Sequence, residues 1–176
     1  MAEASGNPFW DFSLAIYERP GVPEACLGLQ DRHGLDVNLL LFCCWAGSRG
    51  RALAAGDMAR LVEAAGPWHD EVVRPLRAAR RWLKGQTAAP AEPTEALREA
   101  IKAQELEAER LAQLILLECL EIGMGQGSAP AAAGNLKAYL AAAEVHAGIA
   151  DAADLAALLI TCFANLPPLE ALRLLG

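Results

Sequence analysis

The run VNLLLFCCWA at residues 37–46 constrains this chain most, because its leucines, Phe42, Cys43, Cys44 and Trp45 leave no polar face at helical spacing. It is far shorter than the roughly 20 apolar residues a helix needs to cross a bilayer. A helix apolar on every side belongs in the middle of a protein, so the rest of the chain has to surround it. Asp36 stands immediately ahead and is a residue type that caps helix starts. The surroundings read as helical too. Hydrophobic residues make up 54% of the chain, and the excess is alanine and leucine with few β-branched and aromatic residues, a balance that favours helix over strand.

Local signals divide the chain. Asn7 and Pro8 suit an N-cap and a first helical position, and Phe9, Phe12 and Ile16 follow at helical spacing until Pro20-Gly21. A second helix runs from Pro23-Glu24 to His33-Gly34, and Gly47 to Gly50 breaks the chain after the apolar run. Asp57 caps a short helix, and Gly66-Pro67 opens another that lasts to Lys84. Residues 85–93, rich in proline and alanine, read as a linker. A long helix over residues 95–122 places Leu97, Ile101, Gln104, Ala108, Leu111, Ile115, Glu118 and Ile122 in alternating steps of four and three, the seam of a bundle. Residues 123–134 read as a flexible loop, and residues 135–176 as alanine-rich C-terminal helices. The expected architecture is all-α: a single domain over residues 1–176, a bundle of about six to eight helices, with the helix at 37–46 near its centre and packed against the long helix.

Three stretches carry a resemblance: Phe9-Trp10-x-Phe12-Ser13 continuing to Tyr17 and Pro20-Gly21-Val22; Ala25-Cys26 with Leu29-Gln30-Asp31; and Gly34-x-Asp36-Val37-Asn38-Leu39-Leu40-Leu41-Phe42-Cys43-x-Trp45. Together they resemble the N-terminal signature of an uncharacterised family of proteobacterial cytoplasmic proteins, closely over residues 8–45 and more loosely to about residue 121. The resemblance implies a bacterial, intracellular, helical protein. It brings no activity, cofactor or catalytic residue with it.

Net charge is -7, from 22 acidic and 15 basic residues, so the summed field opposes nucleic acid and anionic membranes. Five cysteines, odd in number and without Cys-x-x-Cys spacing, sit among leucines and alanines as reduced thiols do in the cytoplasm. The first twenty residues lack the basic start and apolar run of a signal peptide. The chain is therefore expected to be cytoplasmic.

Four groups of residues are candidate sites. Gln30, Asp31, His33, Asp36 and Asn38 crowd the turn that feeds the apolar helix, where they could bind a ligand, although the favoured reading is structural, with Asp36 as N-cap and Asn38 bonding to a neighbouring loop. Arg74, Arg77, Arg80, Arg81 and Lys84 make a basic face, in a region where residues 49–84 hold eight basic and four acidic groups. That face could meet an acidic partner, or the acidic helix after Thr94 could neutralise it within the chain. Glu118 and Glu121 lie one turn apart in an apolar stretch, suited to acid–base chemistry or to pairing with an arginine. Trp10 and Tyr17, seven residues apart, form a polar-tipped aromatic stripe suited to docking. The three histidines show no metal-ligand spacing, and no nucleophile elbow, phosphate loop or dinucleotide fingerprint is present. No catalytic residue, metal or cofactor is assigned. The favoured function is a non-enzymatic protein-interaction or regulatory module using Arg74, Arg77, Arg81, Lys84, Trp10 and Tyr17, with a protein partner. The alternative is a small-molecule-binding protein or enzyme with a site near Gln30, Asp36, Asn38 and Glu118.

Overall fold

The computed structural model describes residues 7–176, so residues 1–6 of the expected domain lie outside the described residues. Among the described residues there are α-helices and no strands. They are α1 (Pro8–Tyr17), α2 (Val22–His33), α3 (Val37–Ser48), α4 (Ala55–Trp68), α5 (Arg74–Leu83), α6 (Ala91–Cys119), α7 (Ala129–Ala142), α8 (Ile149–Cys162) and α9 (Pro168–Leu175), with a π-helical turn, His69–Val73, joining α4 to α5.

The apolar helix occupies the centre. Every α3 residue from Asn38 to Gly47 is buried, and Asp36 caps it by accepting the Asn38 backbone N–H at 2.8 Å. Phe9 from α1 packs on Phe42 and Trp45 with ring centroids 5.2 Å apart in each case, and Phe42 and Trp45 are themselves 5.5 Å apart, within the range of favourable aromatic pairs. The expected partner of this helix was the long helix; the structure corrects this, because α7 covers most of α3 and α6 touches it little. Small residues explain the choice. A Cβ on Gly47 would lie 2.3 Å from the Cβ of Ala132, so the two backbones approach as only glycine and alanine allow. Asn135 of α7 completes the joint: its side chain donates to the carbonyls of Cys43 (3.1 Å) and Arg51 (2.9 Å) and accepts from the Leu53 N–H (2.7 Å).

The break expected at Gly66-Pro67 is also corrected, for α4 continues through Pro67 into the π turn. Pro67 and Pro75 both lack a backbone donor, and in an unbroken α register the Pro75 ring would clash with the Glu71 carbonyl. The π turn shifts the register instead: the Arg74 N–H donates to the carbonyl of His69, five residues back. Asp57 stands inside α4 and not at its cap, its carboxylate accepting the Ala54 N–H at 3.2 Å.

The long helix starts and ends earlier than expected, and its buried face differs from the expected seam. Leu97 is 52% exposed and Gln104 and Glu118 are exposed, whereas Thr94, Glu105, Ala108, Ala112, Gln113 and Leu116 are buried. The buried face is partly polar, so hydrophobic periodicity does not mark it. Trp68 anchors α4 to this face by donating its indole N–H to the Ala108 carbonyl at 2.9 Å.

Residues 129–134, expected in a loop, open α7, where Ser128 accepts the Ala131 N–H at 3.2 Å and Pro130 fits the first turn. The glycines ahead of it lie against the chain after α3: a Cβ on Gly125 would fall 2.3 Å from the Arg49 carbonyl oxygen. Arg32 and His33 of α2 reach Asp151 of α8 at 2.7 and 2.9 Å, and α9 closes over α7 and α8. No helix among the described residues is long and apolar enough to cross a membrane.

Candidate functional site

A cleft of about 510 Å³ opens between α1 and α2 on one side and α5 and α6 on the other, with the start of α3 at its base. Its body is apolar, built from Trp10, Leu14, Leu27, Val37, Leu41 and Leu106. Leu14, Leu27 and Leu106 are 42, 37 and 51% exposed, so the apolar lining continues out to the rim. Exposed apolar side chains gathered around one opening mark ligand-binding grooves.

At the base, α1, α3 and α6 are tied by one amide. Gln113 donates to the Asn38 side-chain oxygen at 3.0 Å and to the Ser13 hydroxyl at 3.1 Å, and all three residues are buried. This gives the buried Asn38 side-chain oxygen a partner inside the core. Gln30, also lining the cleft and 8% exposed, is different: neither its amide nitrogen nor its amide oxygen has a hydrogen-bond partner.

The α5–α6 wall is an ion-pair network. Arg77 donates to Glu105 at 2.8 Å and to Glu109 at 2.6 Å, and Arg80 also pairs with Glu105. Burial alone would raise the Glu105 carboxyl, but hydrogen bonds from Arg80 and Arg77 hold it below the usual glutamate range. At Glu109 burial wins and the carboxyl is raised, Arg77 opposing. Burial also pushes the Tyr17 hydroxyl up to about 12, with Cys26 and Glu109 adding to the rise. A tyrosine hydroxyl is protonated at neutral pH in any case, and Tyr17 stands in the cleft as an O–H group.

Behind this wall lies Asp36, whose carboxyl burial drives upward against the pull of His69, Asn38 and Arg77. Its Oδ1 is 3.6 Å from His69 Nδ1, and its backbone N–H donates to the Tyr139 hydroxyl at 2.8 Å. Displaced titrations gathered around a concave site mark functional places more often than chance does, although structural ion pairs produce them too.

The structure thus brings together residues from separate groups: Trp10, Tyr17, Gln30, Asn38, Arg77 and Arg80 line one cleft, with Asp36 behind it. Others lie apart. Arg74 pairs with Asp70 at 3.0 Å and Arg81 with Asp31 at 3.1 Å, both at the surface, and Lys84 is exposed at the end of α5. His33 faces Asp151. Glu118 and Glu121 are exposed and do not line the cleft; the carboxylates that meet the arginines are Glu105 and Glu109 instead. Ser13, Glu105, Glu109 and Gln113 are contributions the sequence reading missed. The neutralisation of the arginines by the acidic helix after Thr94 is what the structure shows, but which carboxylates of that helix meet Arg77 and Arg80 follows only from the α5–α6 pairing. Among the described residues no group of three or more His, Cys, Asp or Glu side chains is placed to hold a metal ion.

A family model described as a protein of unknown function, DUF2390, matches residues 8–116, and the chain belongs to that family. This agrees with the uncharacterised family that the N-terminal residues resemble. No curated protein and no solved structure matches the chain.

Proposed function

We propose that this family member is a ligand-binding domain whose cleft between α1–α2 and α5–α6 receives a small, uncharged, mainly apolar molecule. One observation carries the reading: a hollow of about 510 Å³, walled by apolar side chains, has in its lining a buried amide with no partner. Pockets for small molecules commonly have this form, apolar with a few placed polar groups. Charge supports a neutral ligand. Arg77, Arg80 and Lys102 line the cleft with Glu99, Glu105 and Glu109, and each is paired within the chain. The whole lining, from Trp10 to Gln113, falls inside the family-matched region, whereas α7 to α9 fall outside it.

Two-dimensional NMR of the labelled chain with toluene and benzyl alcohol tests this. The expected result is saturable shifts of the Trp10 indole and the Gln113 amide. Unchanged cleft resonances at millimolar probe would count against the reading.

A second reading, contact with another protein through the basic helix, is favoured by the far end of α5, where Trp82 is 63% exposed beside Arg81 and Lys84. Arg77 contributes to the cleft wall, so on this reading the contact is confined to Trp82, Arg81, Lys84 and Arg74. Reversal of Arg81 and Lys84 to glutamate would abolish such a contact and leave fragment binding in the cleft unaltered. A reducing compartment such as the cytoplasm suits either reading, because all five cysteines are free.

A further inference from the structure

The cleft is selective for a particular chemistry if Gln30 takes part in it. We infer that the ligand carries a planar apolar ring bearing a neutral carboxamide or lactam edge, and that Gln30 reads that edge by pairing both its amide groups with it. The inference rests on the cleft being a ligand site and adds which ligand it takes.

Four features converge on an amide. A glutamine side chain offers one acceptor and one N–H₂ donor side by side, and the matching partner presents a carbonyl next to an N–H. In the free protein both Gln30 atoms are sealed and unpartnered, while the neighbouring amides of Asn38 and Gln113 are committed to each other. Tyr17 lines the cleft, makes no hydrogen bond among the described residues and supplies a further O–H donor for a carbonyl oxygen. The balanced ion pairs of the α5–α6 wall leave no net charge to hold a carboxylate or an ammonium, each of which would lose its water without compensation. The ring follows from the walls, since Trp10, Leu14, Leu27 and Leu106 offer flat or branched apolar contact and Trp10 can stack.

Because the Gln30 amide is covered in the free chain, it turns outward about its last side-chain torsions to meet the ligand. Of these torsions χ2 moves the amide between staggered wells, and χ3, an sp³–sp² torsion, then aims its oxygen and nitrogen at little cost. The free protein therefore holds a buried unsatisfied group that the ligand satisfies. A site built this way rejects analogues without the hydrogen-bonding edge more strongly than one that merely fits a shape.

The test is an NMR titration of the full chain with benzamide, toluene, benzoate and benzylamine, repeated on Gln30→Met and Tyr17→Phe. Methionine is close to glutamine in length and unbranched, so the fold is expected to persist, which the spectrum itself shows. The expected result is benzamide binding at least about tenfold more tightly than toluene, with benzoate and benzylamine weaker still. Gln30→Met should abolish that preference while retaining toluene, and Tyr17→Phe should reduce it in part. Equal binding of benzamide and toluene to the wild type, or a preference that survives Gln30→Met, overturns the amide assignment and leaves the cleft as a general apolar site. Tighter binding of benzoate overturns it in favour of an anionic ligand. No cleft shift with any of the four removes both this inference and the reading beneath it.

Discussion

The Arg77 guanidinium spans two carboxylates one helical turn apart, donating to Glu105 at 2.8 Å and to Glu109 at 2.6 Å. The Arg77 and Glu105 side chains are only 12 and 7% exposed, so each depends on the other for the charge balance that water would otherwise supply. This contact joins α5 to α6 and at the same time forms a wall of the cleft.

Glu105→Gln should destabilise the chain by about 3 kcal/mol in urea titration, because it removes the buried negative charge that balances Arg77 and Arg80. Arg81→Glu, which breaks an exposed pair with Asp31, should cost no more than about 1 kcal/mol. The Glu105 carboxyl is held below its ordinary value, so its contribution is complete above the ordinary glutamate range and is lost as pH falls through the lower folded value. Wild type should therefore lose stability in that acid range more steeply than Glu105→Gln. Equal costs for the buried and exposed variants would show that the wall is not a dry ion pair.

Asp36 has the opposite sign. Burial raises its carboxyl, so the folded state disfavours its charge, and stability falls as pH rises from the ordinary aspartate range through the raised value. Asp36→Asn should remove that slope and keep the cap, since asparagine caps as well as aspartate. Asp36→Ala should be less stable than Asp36→Asn by about 1 kcal/mol because the Asn38 N–H loses its acceptor. Thermal unfolding of the three proteins between about pH 4 and 8 measures both effects.

Two glycines should respond in opposite directions to alanine. At Gly47 the new Cβ would stand 2.3 Å from Ala132 Cβ and 2.4 Å from its Cα, so α3 and α7 must separate. Overpacking of this kind costs about 1–3 kcal/mol or more. At Gly134, inside α7, nothing lies within 4 Å of the new atom, and helix propensity should stabilise the chain by up to about 1 kcal/mol. Chemical denaturation of both variants should give opposite signs.

Thiol chemistry should report the core. Burial pushes the Cys26 thiol up to about 12 and raises Cys43 as well, while a hydrogen bond with Cys162 raises Cys44 ahead of burial. Thiolates are the reactive form, so these three should resist iodoacetamide in the native state and react on unfolding. Cys119, partly exposed on α6, should react first. Rapid native labelling of Cys43 would contradict the central placement of α3.

Much of the fold was legible because it follows from local chemistry. The apolar run that became α3, the caps Asn7 and Asp36, and the helical composition each act within a few residues. What was not legible depends on pairing between distant elements. Pro67 reads as a helix start, yet α4 runs through it, and the π turn beyond shifts the register ahead of Pro75. The face of α6 was misplaced because three cleft residues on it, Glu105, Glu109 and Gln113, are polar, and periodicity counts only apolar positions. Glu105 and Glu109 are drawn inside by Arg77 and Gln113 by Asn38, none of which is near in sequence. Trp10, Tyr17, Gln30 and Asn38 were recognisable as candidates, but only the tertiary arrangement puts them in one cleft.

Gln30 is unpaired in the free protein and, on the binding proposal, becomes paired when the cleft is filled. Urea denaturation of wild type and Gln30→Met, each with and without saturating benzamide, tests that directly. Without ligand the variant should be the more stable by about 1–3 kcal/mol, having lost a buried amide that satisfies nothing. With benzamide only the wild type should gain appreciably, by an amount that grows with the logarithm of ligand concentration. A variant less stable than wild type, together with a benzamide gain equal in both, would mean that Gln30 serves the fold and not the ligand.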